Sequence, residues 1–362
     1  MSGHGGDVAA AARELGLPAS EVLDFSASIN PLGIPAGVLA AAQRGVAESV
    51  HYPEIAGDAL AAALAAHHGL SAEHFLPGAG STPLFYLLAR VLRPRRVLLV
   101  EPAFSEYRRS LTLSGAVIDP FLLDPANDFA LDSRQLLARL TPETDLVLLA
   151  NPGNPSGAAL PPALLRRLAA ALRGRALLVV DEAFVDFAPD LSLMPGLSAG
   201  DNLLIFRSLT KFYAIPGLRV GYLAAQPELV ARLAAAAEPW ALSTPALNAG
   251  QACLAEADYR RRSLALIPAW RDELAAGLRR LGWQVHPSVA NYLLARLPDG
   301  AQSSRELATR LRRQGILLRS CRDFVGLNES YLRLAVRTAA ENQRLLAALA
   351  AAVTATEKEA PC

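Results

Sequence analysis

The chain has 362 residues, of which 52% are apolar, and its 35 basic and 34 acidic side chains leave a formal net charge of +1. That length suggests one large domain with a smaller companion, or two of middling size, with a sizeable core. The charges form no cationic block, which argues against a nucleic-acid partner, and no apolar run reaches the roughly 18 residues a membrane span needs.

The opening MSGHGGD has neither a basic n-region nor an apolar h-region, so the chain reads as soluble, unexported and cytoplasmic. His4, a lone histidine near the terminus, reads on its own as part of a disordered end. A short helical pattern, VAAAARELG, leads to DFSASINPLG at 24–33, where Asn30-Pro31 and Gly33 are turn chemistry. A helical block follows at 35–49, then a loop bearing Tyr52-Pro53 and an Ala-rich helix. Adjacent on that helix, His67 and His68 face different directions, which makes a solvated helix end a better reading than a metal pair.

At 75–92, FLPGAGSTPLFYLLARVL places a Gly-x-Gly turn before Ser81, Thr82 and Pro83, which predicts a helix start with hydroxyls at its cap. Its first-turn amides would suit a phosphate, although most capped helices bind nothing. Three apolar runs, at 97–100, 146–150 and 176–180, read as buried strands, each followed by helical sequence. Continuous apolar strands alternating with helices argue for a parallel sheet covered on both faces, whose ligands collect beyond the strands' carboxyl ends. Phe104, Asn154 and Asp181 stand at such ends.

So does Lys211, after the run LLIF at 203–206. Burial at the edge of a sheet and the nearby Arg207 and Arg219 would disfavour its ammonium, making it a candidate nucleophile toward a carbonyl. A surface loop lysine is the plain alternative. Beyond Tyr222 come Ala-rich helices, a long helical stretch near 255–281, a strand at 282–297, a helix, Gly stop and strand at 305–321, and a strand with a last helix at 331–353. This tail reads as a βαβ-like second domain, with TATEKEAPC as a loose end. Cys253, Cys321 and Cys362 fit no disulfide framework or zinc pattern, and no metal is expected.

Ser208, Lys211 and Arg219 in FRSLTKFYAIPGLRVGY resemble the S-x-x-K-x(7)-R motif of the fold-type I pyridoxal-phosphate enzymes. With HGGD, DFSASINPLG, DEAFVDF and YLRLAVRTAAEN, the resemblance to the class I and II aminotransferase family spans essentially the whole chain. It implies an α/β fold, with a mostly parallel sheet between helices in a large domain and a smaller α/β C-terminal domain. The expected division is an N-terminal arm with part of the small domain at 1–45, the large domain at 46–250, the small domain at 251–355 and a tail at 356–362. The implied cofactor is pyridoxal 5'-phosphate, bound covalently through Lys211.

Asp181 would then face the ring nitrogen, Asn154 the ring oxygen and Phe104 the ring face, while Gly80, Ser81, Thr82, Ser208 and Arg219 surround the phosphate. Taken singly, Asp181 could equally be a helix cap. Some relatives carry glutamate in place of Ser81, so the contact there could be made by the backbone alone. By position, Arg333 would bind the substrate carboxylate, with a surface ion pair as its plain alternative. His4, Asn30 and Arg319 would hold a substrate phosphate, with Asn154 also touching the substrate. Tyr52 would reach a neighbouring subunit's cofactor phosphate in a homodimer.

Two branches of the family fit. The threonine-phosphate decarboxylases of cobalamin biosynthesis match several stretches nearly word for word, and Phe184 stands where many aminotransferases carry tyrosine. The histidinol-phosphate aminotransferases are the alternative, because they too take a phosphate-bearing amino substrate.

Overall fold

The computed structural model describes the backbone of residues 5–359, and the side chains as far as residue 352. His4 and Cys362 lie outside the described residues. Among the described residues thirteen strands are interspersed with helices: β1 (Leu23–Asp24), β2 (Phe75–Gly78), β3 (Arg96–Glu101), β4 (Val117–Leu122), β5 (Thr144–Ala150), β6 (Leu177–Asp181), β7 (Leu203–Ser208), β8 (Gly221–Ala225), β9 (Gln284–Val285), β10 (Tyr292–Arg296), β11 (Ile316–Leu317), β12 (Arg319–Ser320) and β13 (Tyr331–Ala335).

Seven strands form the central sheet in the order β2-β8-β7-β6-β5-β3-β4, and only β8 runs against the rest. The apolar runs are continuous because both faces are covered. Leu98, Val100, Val147 and Leu149 join one core cluster, while Val97, Leu99, Leu146 and Leu148 join the cluster on the opposite face. Both edge strands, β2 and β4, carry a proline, Pro77 and Pro120, at positions a central ladder would not tolerate. That composition hides both strands from a reading based on apolar runs.

In the second sheet, β12-β13-β10-β9, every neighbouring pair is antiparallel, yet β10 and β12 flank β13, run the same way and are linked through helix Ser304–Arg312, so the βαβ-like unit expected for the tail takes a split form. β12 returns directly to β13 through a turn in which the Phe324 amide donates to the Cys321 carbonyl at 3.0 Å. Helices Ala257–Arg280 and Ala339–Glu359 cover it, packing Leu274, Leu278, Leu345 and Leu349 against Leu293 and Leu332. β1 pairs parallel with β11, which ties the N-terminal segment to this unit.

Helix Ala36–Glu48 packs instead on helix Thr244–Ala255, so closely that a Cβ on Gly45 would come within 2.6 Å of the Pro245 Cα. It therefore lies with the large sheet, and a boundary at residue 45 cuts through it. The last helix runs on to Glu359, past the expected start of the loose tail at 356, because Ala, Glu and Lys sustain a helix and no proline intervenes before Pro361. Among the described residues no helix is long and apolar enough to cross a membrane, and no group of three or more His, Cys, Asp or Glu side chains could hold a metal ion.

Candidate active site

The carboxyl ends of β5, β6 and β7 open onto a cavity of about 190 Å³, closed on its other side by the N-terminal segment and by the small sheet. β6 lies between β5 and β7, so Asp181 at its end is central and buried. One Asp181 oxygen accepts from the Ala183 amide at 2.9 Å, and the other accepts from the Tyr107 hydroxyl. Burial raises the Asp181 pKa, and these two donors, with Lys211, oppose the rise. Burial and the Asp181 charge push Tyr107 well above its ordinary value, so it stays a hydroxyl donor.

Lys211 sits on the short helix Leu209–Phe212 directly after β7. Its Nζ donates to Thr210 Oγ1 at 2.8 Å and to Ser208 Oγ at 3.4 Å. Burial first, then the Arg219 charge, lowers its pKa from 10.5 to about 8, against the pull of Asp181. About a tenth of the amine is therefore neutral at pH 7, far more than an ordinary lysine offers to a carbonyl.

Helix Ser81–Leu92 points its first turn at the same cavity, where Ser81 and Thr82 form part of the wall. The cap is Gly80, not a hydroxyl: its φ of +85° and ψ of 172° belong to glycine alone, and neither Ser81 nor Thr82 caps through its side chain. A Cβ on Gly80 would lie 2.7 Å from Arg219 Nη2, so the guanidinium packs onto bare backbone behind the wall. Ser208 is likewise behind the surface, its hydroxyl shared with Thr210 at 2.8 Å.

The opposite wall is cationic. Arg333 Nη1 donates to Asn154 Oδ1 at 2.8 Å and Nη2 to the Ser26 carbonyl at 3.0 Å, with the guanidinium 5.4 Å over the Tyr292 ring. Burial lowers its pKa, and Arg319 nearby adds to that. Phe104 and Phe184 line the cavity; Phe184 meets Tyr292 edge-on at 4.9 Å.

Two expected residues stand elsewhere. Asn30 is buried beneath the site with its amide fully engaged: Nδ2 donates to the Phe212 carbonyl at 2.9 Å and to Ser263 Oγ at 2.8 Å, and Oδ1 accepts from the Leu32 amide. It clamps the Lys211 segment, and neither side-chain N–H is left to donate to a ligand phosphate. Ser28, just upstream, lines the cavity instead, and its buried hydroxyl has no partner. Tyr52 is 83% exposed and packs against Trp240, with ring centroids 5.1 Å apart and the planes tilted by 34°, outside its own chain's cavity. His68 is no solvated helix end: its Nε2 meets Tyr222 Oη at 2.8 Å, and burial drops its pKa to about 3.

Tyr107 and Ser28 were not expected from the sequence. The spacing of Tyr107 from Phe104, one helical turn, was the signal that both face one side.

A lysine of lowered pKa beside a buried carboxylate, an aromatic wall, a helix start capped by bare glycine and an arginine behind it fit an aldehyde-bearing, phosphorylated pyridine. Fold and site together define a pyridoxal-phosphate enzyme. The model of the family described as aminotransferase class I and II matches residues 20–349, and the chain belongs to that family.

It is 38% identical over 356 residues to the threonine-phosphate decarboxylase of Salmonella typhimurium, covering 96% of each chain. It is 32% identical over 361 residues to histidinol-phosphate aminotransferase 2 of Ralstonia nicotianae, covering 98% of this chain and 95% of that one. The solved histidinol-phosphate aminotransferase of Sinorhizobium meliloti, in complex with pyridoxal 5'-phosphate, superposes with a TM-score of 0.86 at 25% identity, covering 96% and 94%. The cofactor of this chain is pyridoxal 5'-phosphate.

Proposed function

We propose that the enzyme decarboxylates L-threonine O-3-phosphate to (R)-1-aminopropan-2-yl phosphate and carbon dioxide, the step that supplies the aminopropanol linker of cobalamin. The observation that carries this reading is a register: Arg319 and Arg333 are direct cross-strand partners on β12 and β13, and both line the cavity. Two guanidiniums side by side suit a substrate bearing two anionic groups, a carboxylate and a phosphate. The relative at 38% identity and the absence of a ring hydroxyl at Phe184 support the same choice.

When bound, the cofactor supplies an aldehyde for the substrate nitrogen and a ring that withdraws electrons from the α-carbon. Asp181, held by Tyr107 and Ala183, keeps a negative charge where the ring nitrogen needs its proton. Arg333 would hold the α-carboxylate, and Arg319 with Ser28 the phosphate, so that the bond to the carboxylate is the one presented for cleavage. Lys211 Nζ would then return a proton to the carbon that lost carbon dioxide. The Gly80–Arg219 corner and the first turn at Ser81 and Thr82 would receive the cofactor phosphate.

The reading includes a cytoplasmic homodimer. Val50, Tyr52, Ile55 and Trp240 are exposed by 81%, 83%, 64% and 46%, an apolar surface that a second copy would cover and from which Tyr52 would reach the partner's site.

Histidinol-phosphate transamination is the second reading, favoured by the relative at 32% identity. Purified protein is incubated with L-threonine O-3-phosphate and, separately, with histidinol phosphate plus 2-oxoglutarate. Carbon dioxide in the first tube alone supports decarboxylation; glutamate in the second overturns it.

A further inference from the structure

The cross-strand register that joins Arg319 to Arg333 also sets a problem, because like charges placed opposite each other on one face of a sheet repel. The two guanidiniums are relieved differently. Arg333 is tied to neutral groups, Asn154 Oδ1 and the Ser26 carbonyl. Arg319 is tied to an acid: its Nη2 donates to Asp323 Oδ2 at 2.8 Å. The turn at 321–324 folds the chain back so that Asp323 meets the strand residue before it, and the same turn sets Phe324 beneath the guanidinium at 5.2 Å. The Arg319 side chain is 13% exposed and that of Asp323 35%, so the acid stands at the rim and the arginine at the wall.

Asp323 occupies one nitrogen of a five-donor fork. Phe324 fixes the plane of that fork, and the remaining donors are left for a ligand in the cavity. We propose that Asp323 is a specificity-determining positioning residue, which holds the Arg319 guanidinium apart from Arg333 so that each receives a different anionic group of the substrate. The assignment rests on the proposed reading that a phosphate monoester enters this cavity, and it adds the residue that orients the arginine for it. What the role requires is an acceptor oxygen at position 323. The negative charge itself opposes a bound phosphate.

The test uses cofactor-loaded protein and follows ligand binding by the change in cofactor absorbance, with L-threonine O-3-phosphate, histidinol phosphate and unphosphorylated L-threonine as probes. D323A is expected to weaken both phosphate monoesters about tenfold, to raise KM with little change in kcat, and to leave L-threonine binding unaltered. D323N keeps the acceptor and is expected to bind the monoesters within about threefold of the wild type, or more tightly. Unchanged monoester binding in D323A, or a loss in D323N as large as in D323A, overturns the proposal. Equal loss of L-threonine binding in D323A also overturns it, since that would mark a general collapse of the wall. If wild type binds both monoesters but releases no carbon dioxide, the decarboxylase reading falls while the two variants still decide the role of Asp323. If neither monoester binds, both readings fall.

Discussion

The Tyr107 hydroxyl donates to one carboxylate oxygen of Asp181 while the Ala183 amide holds the other at 2.9 Å, so the acid at the centre of the site has both oxygens occupied by donors and none by a cation. This arrangement favours the anion in a place where burial opposes it. Tyr107→Phe removes the donor and almost nothing else from a fully buried position. The expected result is a folded protein that binds pyridoxal phosphate about tenfold more weakly, since a hydrogen bond to a charged group is lost. Equilibrium dialysis of cofactor against wild type and variant checks it, and equal affinities would deny Asp181 its need for Tyr107.

Lys211 provides a pH signature. Its folded pKa is about 8, against 10.5 unfolded. Below about pH 8 both states carry the proton. Between the two values the unfolded chain binds more protons than the folded one, so the unfolding free energy rises with pH across that window. In cofactor-free protein, denaturant unfolding from pH 7 to 10.5 should show this rise, and Lys211→Met should lack it. The rate of cofactor capture should likewise climb with its midpoint near pH 8 and level off about a unit above it; a midpoint toward pH 10 would mean an ordinary lysine.

Arg207, on β7 below the lysine, donates to Glu182 at 3.1 Å and to Asp186 at 2.6 Å, and all three side chains are nearly sealed from solvent. Removing the guanidinium strands two acids; Arg260 reaches Asp186 at 3.6 Å, but Glu182 keeps only the Leu193 amide and the Ser192 hydroxyl. Arg207→Met should therefore cost about 3–5 kcal/mol in urea unfolding. A loss below about 1 kcal/mol would show that the acids simply take up protons.

Much of this architecture is legible in the sequence, for a physical reason. Strands buried on both faces must be continuously apolar, so β3, β5, β6 and β7 announce themselves, and the polar residues that end them mark the mouth of the sheet. Edge strands carry no such obligation, which is why β2 and β4, each with a proline, pass unseen. Hydrogen bonding between distant residues is also silent: Tyr107 meets Asp181 across 74 residues, and His68 meets Tyr222 across 154. Asn30 misleads because the amide that makes a turn is the amide that binds a ligand, and here the turn and the Lys211 segment consume it. The unpartnered hydroxyl of Ser28 can be recognised only once its neighbours are in place.

Gly80 tests the phosphate corner without removing a charged group. Its backbone, at φ +85° and ψ 172°, costs any residue with a Cβ about 1–3 kcal/mol. The added methyl of Gly80→Ala would stand 2.7 Å from Arg219 Nη2, and the guanidinium, being the free end of a long side chain, is the group that would yield. Two effects then coincide: the first turn at Ser81 and Thr82 is tilted, and Arg219 is displaced from the place where a phosphate would meet it. Pyridoxal phosphate should bind at least about tenfold more weakly, while pyridoxal, which lacks the phosphate, should bind as it does to wild type. Parallel titrations with the two compounds decide the matter: an equal loss for both would locate the damage at the ring, and no loss for either would move the phosphate away from this corner.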